Sequence, residues 1–221
     1  MPTENPADPN ARYADDGSHL DQHDILWQDL EGRSSEELAN LTLGTPLPGN
    51  CLALRFLDAE VQVDIPGHRL LRVQGDERIP LDDPLLELAT LVYLNRVDIV
   101  LPIDRDIVGL QDLKESHFFV GPHELRTAIV RERYGKDPKA FQQAVTALDG
   151  RLVDMADAAG RLLPFPRMPL YFLIWFADDE FPADLRVLFD RSIERFLPAD
   201  AIWALVNRVA TALADGTAFG A

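Results

Sequence analysis

Pro164–Leu197, PFPRMPLYFLIWFADDEFPADLRVLFDRSIERFL, is the stretch that decides the fold. An apolar run from Met168 to Ala177 stops on Asp178, Asp179 and Glu180. A second run, Leu185 to Phe189, ends on Asp190. Pro169–Phe176 carries no charge, the pattern of a strand buried on both faces and therefore central in its sheet. Leu185–Phe189 reads as its neighbour. Two strands that each end in carboxylates can place those groups at one edge of a sheet, so the same stretch holds the first candidate site. Phe181-Pro182 is expected to anchor the intervening loop. Asp190 is expected to cap a short helix through Phe196.

Beyond this stretch, Pro198 stands where a first helical residue is expected, with Asp200 in the first turn. Ile202, Leu205, Val206, Val209 and Leu213 then recur at helical spacing, giving an amphipathic C-terminal helix that packs on the sheet. Asp215-Gly216 ends it. Before the stretch, residues 151–163 show no clear period. His123–Tyr134 and Asp137–Leu148 read as helices closed by Gly135 and Gly150. Ile99–Leu101 reads as a strand and 104–116 as a polar loop. Asp82-Asp83-Pro84 opens a helix whose stripe is Leu85, Leu88, Ala89, Val92 and Tyr93.

Cys51–Leu57, Glu60–Ile65 and Arg69–Val73 alternate around Asp58-Ala59 and Pro66-Gly67, an antiparallel meander. Gly44–Gly49 breaks the chain ahead of it. Ser34 with Glu37 fits a capping box before Leu38 and Leu41. Ile25, Leu26, Trp27 and Leu30 suit another short helix. Residues 1–20, rich in Pro, Asp and Asn, read as a disordered acidic tail. The expected fold is α+β: a single domain over residues 21–221, an antiparallel or mixed sheet covered by helices.

Twenty-one basic residues against thirty-seven acidic ones leave a formal net charge of −16. Such a field repels phosphate backbones and anionic lipid, so nucleic-acid and membrane partners are not expected. Met168–Ala177 is about half the roughly 20 apolar residues that a membrane-spanning helix needs. The N-terminal residues lack the basic and apolar regions of a signal peptide. Cys51 is the one cysteine. It cannot form an internal disulfide or a cysteine-ligated cluster, and a cytoplasmic location is the expectation. Basic residues between Arg126 and Lys139 read as a solvated helix face.

Asp179 and Glu180 are candidates because crowded carboxylates raise one another's pKa, which suits acid/base work, and because their oxygens suit hard cations. His123, after Gly121-Pro122, has an imidazole that can shuttle protons or bind metal. Lys114 can offer a positive charge to an anionic ligand. Asp190 joins them if it faces Glu180. No phosphate-binding glycine loop, nucleophile elbow, HExxH or paired CxxC is present, and no cofactor is indicated.

Leu113-Lys114, Phe118–Leu125, Tyr134-Gly135 and Phe141 form one block. Leu163–Pro169, Asp179–Pro182, Leu188–Asp190, Ile193 and Leu197-Pro198 form another. On these blocks the chain resembles, over roughly residues 35–214, the domain of unknown function DUF3786, a family of mostly anaerobic bacteria and archaea. The resemblance implies no established activity. Some members look fused to iron–sulfur domains or accompany corrinoid or one-carbon metabolism; this chain departs from the fused ones in having a single cysteine. It also has Glu115-Ser116 where small residues are expected.

The expected function is that of an accessory or binding protein, recognising a small molecule or protein partner through a pocket near Lys114, His123, Asp179, Glu180 and Asp190. The alternatives are an enzyme using Asp179 or Glu180 as acid/base with His123, and a purely structural or interaction protein.

Overall fold

The computed structural model describes residues 22–220, so the expected disordered tail lies outside the described residues. Among the described residues, two five-stranded sheets, both antiparallel throughout, stand with seven α-helices, an α+β fold. Two helices come first, α1 (Gln22–Leu30) and α2 (Ser35–Thr42). Ser34 caps α2 by accepting the Glu37 amide at 3.1 Å. The first sheet is the meander β1 (Thr45–Leu47), β2 (Cys51–Phe56), β3 (Ala59–Asp64), β4 (Arg69–Gln74) and β5 (Glu77–Pro80), in sequence order. The two outer strands are short, and Gly44–Gly49 is a hairpin arm where only a chain break was expected.

Helix α3 (Pro84–Arg96) follows, with Asp83 as its N-cap. Its buried residues include Leu86, Leu91 and Leu94, and the expected stripe residues Leu85 and Leu88 are only partly buried. The reason is that α3 is wedged between α1 on one side and the last helix on the other, so neighbours cover it nearly all round. The expected strand at Ile99–Leu101 does not form. Ile99 and Val100 are exposed, and the strand lies later, in the expected polar loop, as β6 (Ile107–Gly109).

After β6 come three single 3-10 turns, then α4 (Ala128–Tyr134) and α5 (Pro138–Ala147). The second sheet is completed by β7 (Arg151–Val153), β8 (Ala158–Phe165), β9 (Met168–Trp175) and β10 (Asp184–Asp190), ordered β6-β10-β9-β8-β7. The uncharged strand is thus the middle one. β8 escaped its period because it holds Gly160, and because its pairing shifts between Leu162 and Phe165, around Pro164. Proline lacks the amide a regular ladder needs and sits at such irregularities. Gly160 lets α5 lie close: a Cβ there would come within 2.4 Å of a Val145 methyl.

Helices α6 (Ile193–Phe196) and α7 (Ala199–Asp215) finish the fold. All five expected stripe residues of α7 are buried, and Gly216 ends it at φ 72°, a left-handed conformation that suits glycine. One continuous core runs through both sheets and the helices. The sheets meet directly where the Leu57 amide donates to the Pro164 carbonyl at 3.2 Å and where Phe56 packs on Phe165. Burial of each large side chain here, Phe172 or Leu205 among them, contributes about 1.5–3 kcal/mol.

Candidate functional site

The β9–β10 hairpin separates the acids that its sequence seemed to gather. Asp184 pairs with Trp175 beside the loop, whereas Phe189 pairs with Leu170 at the far end. Antiparallel pairing carries Asp190 away from Asp179 and Glu180 by the length of β10, roughly 20 Å at 3.3 Å per residue. The carboxylates therefore do not share a sheet edge. Asp179 and Glu180 are exposed. Phe181 is 66 % exposed and does not anchor the loop. Asp178 does so instead. Its Oδ1 accepts the Glu180 and Phe181 amides at 2.8 and 2.7 Å, and these bonds hold its carboxyl below the ordinary value.

Asp190 is buried. Its Oδ1 accepts the Ser192 amide at 2.9 Å and its Oδ2 the Arg105 amide at 3.0 Å. The N-cap position of α6 belongs to Ser192, so Asp190 holds the turn ahead of the helix and ties the 98–106 segment to β10. Burial pushes its pKa up, but bonds from Ser192, Arg105 and Asp104 outweigh burial and leave it lowered.

His123 stacks on Phe118, centroids 4.3 Å apart, and meets Trp203 edge-on at 6.3 Å. Arg126 lies 5.2 Å over the Trp203 ring. Gly121–His123 is a tight 3-10 turn, and the helix expected from His123 begins only at Ala128. At the other end of α4, Tyr134 donates to the Leu213 carbonyl at 2.8 Å, and Gly135 accepts the Ala177 amide at 2.9 Å. Ten residues of α7, about 15 Å of axis, separate Trp203 from Leu213. His123 thus belongs to one end of α7 and the Asp178–Glu180 loop to the other.

Lys114 does reach a concavity. A cavity of about 270 Å³ opens between the 113–119 segment, α6 and the start of α7, with Arg96 at the end of α3 on its rim. Its apolar floor includes Leu113, Phe119 and Ile202. Two glutamates brace it. Glu115 Oε2 accepts the Ala199 amide at 2.9 Å and so caps α7, whose own N-cap, Pro198, makes no side-chain bond. Glu194 Oε1 accepts the Lys114 amide. The Glu194 side chain is only 9 % exposed, and its Oε2 has no hydrogen-bond partner. That oxygen is in a long ion pair with Arg191, 3.9 Å away, which also bonds Asp106 and the Asp112 carbonyl.

Arg96 and Glu194 were not singled out in the sequence, since charged residues near helix ends are usually solvated, and Glu115 stood out only as a departure from the family pattern. The available signal was that Leu113-Lys114, Ile193 and Leu197-Pro198, which flank them, carry the family resemblance. A second polar cluster also went unread. Asp104 accepts both guanidinium arms of Arg161, at 3.0 and 2.6 Å, and the Tyr171 hydroxyl. Burial and the Asp104 bond push the Tyr171 pKa up to about 12. The cluster pins the 98–106 segment over the outer face of the second sheet. Among the described residues no group of three or more His, Cys, Asp or Glu is placed to hold a metal ion.

No helix among the described residues is long and apolar enough to cross a membrane. Neither the curated proteins nor the solved structures contain a match to the chain. Residues 36–212, which include the cavity and both braces, match the family model described as domain of unknown function, DUF3786. With most of its length inside that match, the chain belongs to the DUF3786 family.

Proposed function

We propose that the protein is a cytoplasmic binding or accessory protein that takes a small molecule into the cavity beside Lys114. The observation that carries this reading is the charge arrangement there. Arg96 and Lys114 line one cavity, and neither side chain has an ion-pair or hydrogen-bond partner among the described residues. In a chain with a large excess of acids, cations left unpaired in a concave site suit a ligand rather than the fold. Nucleic acid and anionic membrane remain poor partners for so acidic a protein.

The enzyme reading, with Asp179 or Glu180 as acid/base beside His123, has less support, because proton transfer requires hydrogen-bond reach directly or through one water. The two groups sit at opposite ends of α7. A purely structural role implies that Lys114 and Arg96 can be replaced without loss of any ligand. Native mass spectrometry on protein purified from its host distinguishes these readings. The expected result is a retained small molecule that is lost from the Lys114→Gln/Arg96→Gln variant. Protein that carries no ligand, or a ligand indifferent to both substitutions, overturns the proposal.

A further inference from the structure

We infer that the ligand class is an organic acid with a single carboxylate and a hydrocarbon body; this rests on the binding reading above and deepens it. The sign of the charge comes from Arg96 and Lys114, which line the cavity with no partner among the described residues. Arg96 presents a planar fork that matches a carboxylate, and Lys114 adds a second positive charge. Lys114 is held on the wall because its backbone amide donates to Glu194 Oε1.

The number of charges comes from the two glutamates that line the same cavity. Glu115 caps α7 and brings one negative charge to the lining. Glu194 brings a second, which Arg191 offsets only in part because it also pairs with Asp106. Two cations against one full and one partly offset carboxylate leave no more than about one positive charge to be matched. One ligand carboxylate matches it. A phosphate monoester, close to a dianion above neutral pH, sets a second negative charge beside Glu115, and like charges repel strongly in a partly desolvated site. A neutral ligand leaves Arg96 and Lys114 unmatched.

The hydrocarbon body follows from the walls. Leu113, Phe119, Leu197 and Ile202 are buried side chains that reach the cavity, and Pro198 adds its ring. Methylene groups next to the carboxylate are stabilised by covering them. The cavity opens to solvent, so its walls specify the charged end and the adjoining carbons rather than the overall length.

Isothermal titration calorimetry at pH 8 with three probes of similar shape tests the class: pentanoate, its neutral amide pentanamide, and butyl phosphate, a dianion at that pH. Pentanoate is expected to bind at least about tenfold more tightly than either of the others. Lys114→Gln should weaken pentanoate about tenfold and leave pentanamide unchanged. Glu115→Gln keeps an oxygen for the Ala199 amide and removes the charge. It should improve butyl phosphate several-fold relative to pentanoate, a gain that a purely capping role for Glu115 does not produce. Butyl phosphate or pentanamide binding as tightly as pentanoate, no binding of pentanoate at millimolar concentration, or a Glu115→Gln variant with an unaltered phosphate-to-carboxylate ratio overturns the single-carboxylate assignment. A molecule retained by the purified protein and lost with Lys114→Gln/Arg96→Gln, yet neutral or doubly charged, also overturns this assignment while the binding reading stands. Absence of any retained molecule overturns the binding reading itself.

Discussion

Glu115 caps the last helix from across the fold: its Oε2 accepts the amide of Ala199, the first residue of α7, at 2.9 Å. Replacing it by Ala removes an N-terminal acceptor and its charge, which should cost about 1 kcal/mol. Urea unfolding should show a lower midpoint with an unchanged slope. Glu115→Gln should recover most of the loss, since the amide oxygen still accepts. An Ala variant as stable as the parent shows that α7 does not depend on this brace.

Arg208 ties the last helix to the first sheet. It pairs with Asp83, donates to the Ala218 carbonyl, and lies over the rings of Phe56 and Phe219 at 5.3 and 5.4 Å. Both charged side chains are largely buried. Arg208→Ala should cost about 3 kcal/mol, because it strands Asp83 and empties the space between two rings. The Asp83→Ala/Arg208→Ala double variant should lose clearly less than the sum of the singles in chemical denaturation. Strict additivity means the pair is not coupled.

Asp190 should make stability fall in acid. Its folded-state pKa is depressed below the unfolded value of about 3.9, so its contribution is present above that pH and is lost as pH falls through the folded value. Asp190→Ala leaves the Ser192 and Arg105 amides unpaired and should cost about 2 kcal/mol at neutral pH. Its denaturation midpoint should also change less between pH 5 and pH 2 than that of the parent. Parallel pH profiles refute the assignment.

Gly160 permits the approach of α5 to β8. Gly160→Ala should cost about 1–3 kcal/mol through overpacking against Val145. Val145→Ala, itself destabilising, should recover part of that loss in the double variant by thermal denaturation. A double variant no better than the sum of its parts removes the steric explanation.

The Asp178–Glu180 loop should tolerate change outside Asp178. Phe181→Ser and Glu180→Gln should each stay within about 0.5 kcal/mol of the parent, since neither side chain is packed. Asp178→Ala should instead destabilise the loop, read as faster amide exchange at Glu180 and Phe181. Protection that survives Asp178→Ala shows that something else holds the hairpin.

The strands legible in the sequence are those whose residues all obey one rule. β9 is charge-free and central, β2 to β4 alternate around clear turns, and α7 keeps its stripe. β8 was not legible because Gly160 serves a neighbouring helix and Pro164 a strand irregularity, both invisible without the partner. The helix expected from His123 starts only at Ala128 because the 3-10 turn Gly121–His123 is followed by Glu124 in a non-helical conformation, φ −57° and ψ 144°. The site was half legible. Lys114 lines a cavity, but Asp190 and Glu180 were grouped by their places at strand ends, and antiparallel pairing sends those ends in opposite directions. Glu194 resembles any surface acid until its burial and its bond from the Lys114 amide are known.

The ring contact between Phe56 and Phe219, 5.9 Å between centroids, bears on how the chain is made. Phe56 lies in the second strand, yet its cover comes from Phe165, Arg208 and Phe219. During synthesis the meander emerges early with α2 on one part of it, but the cover over Phe56 is incomplete until some 160 further residues, through Phe219, have left the ribosome, at roughly 5–20 residues per second. For that interval the apolar surface around Phe56 depends on whatever holds nascent chains apart, and folding completes only once the last helix arrives.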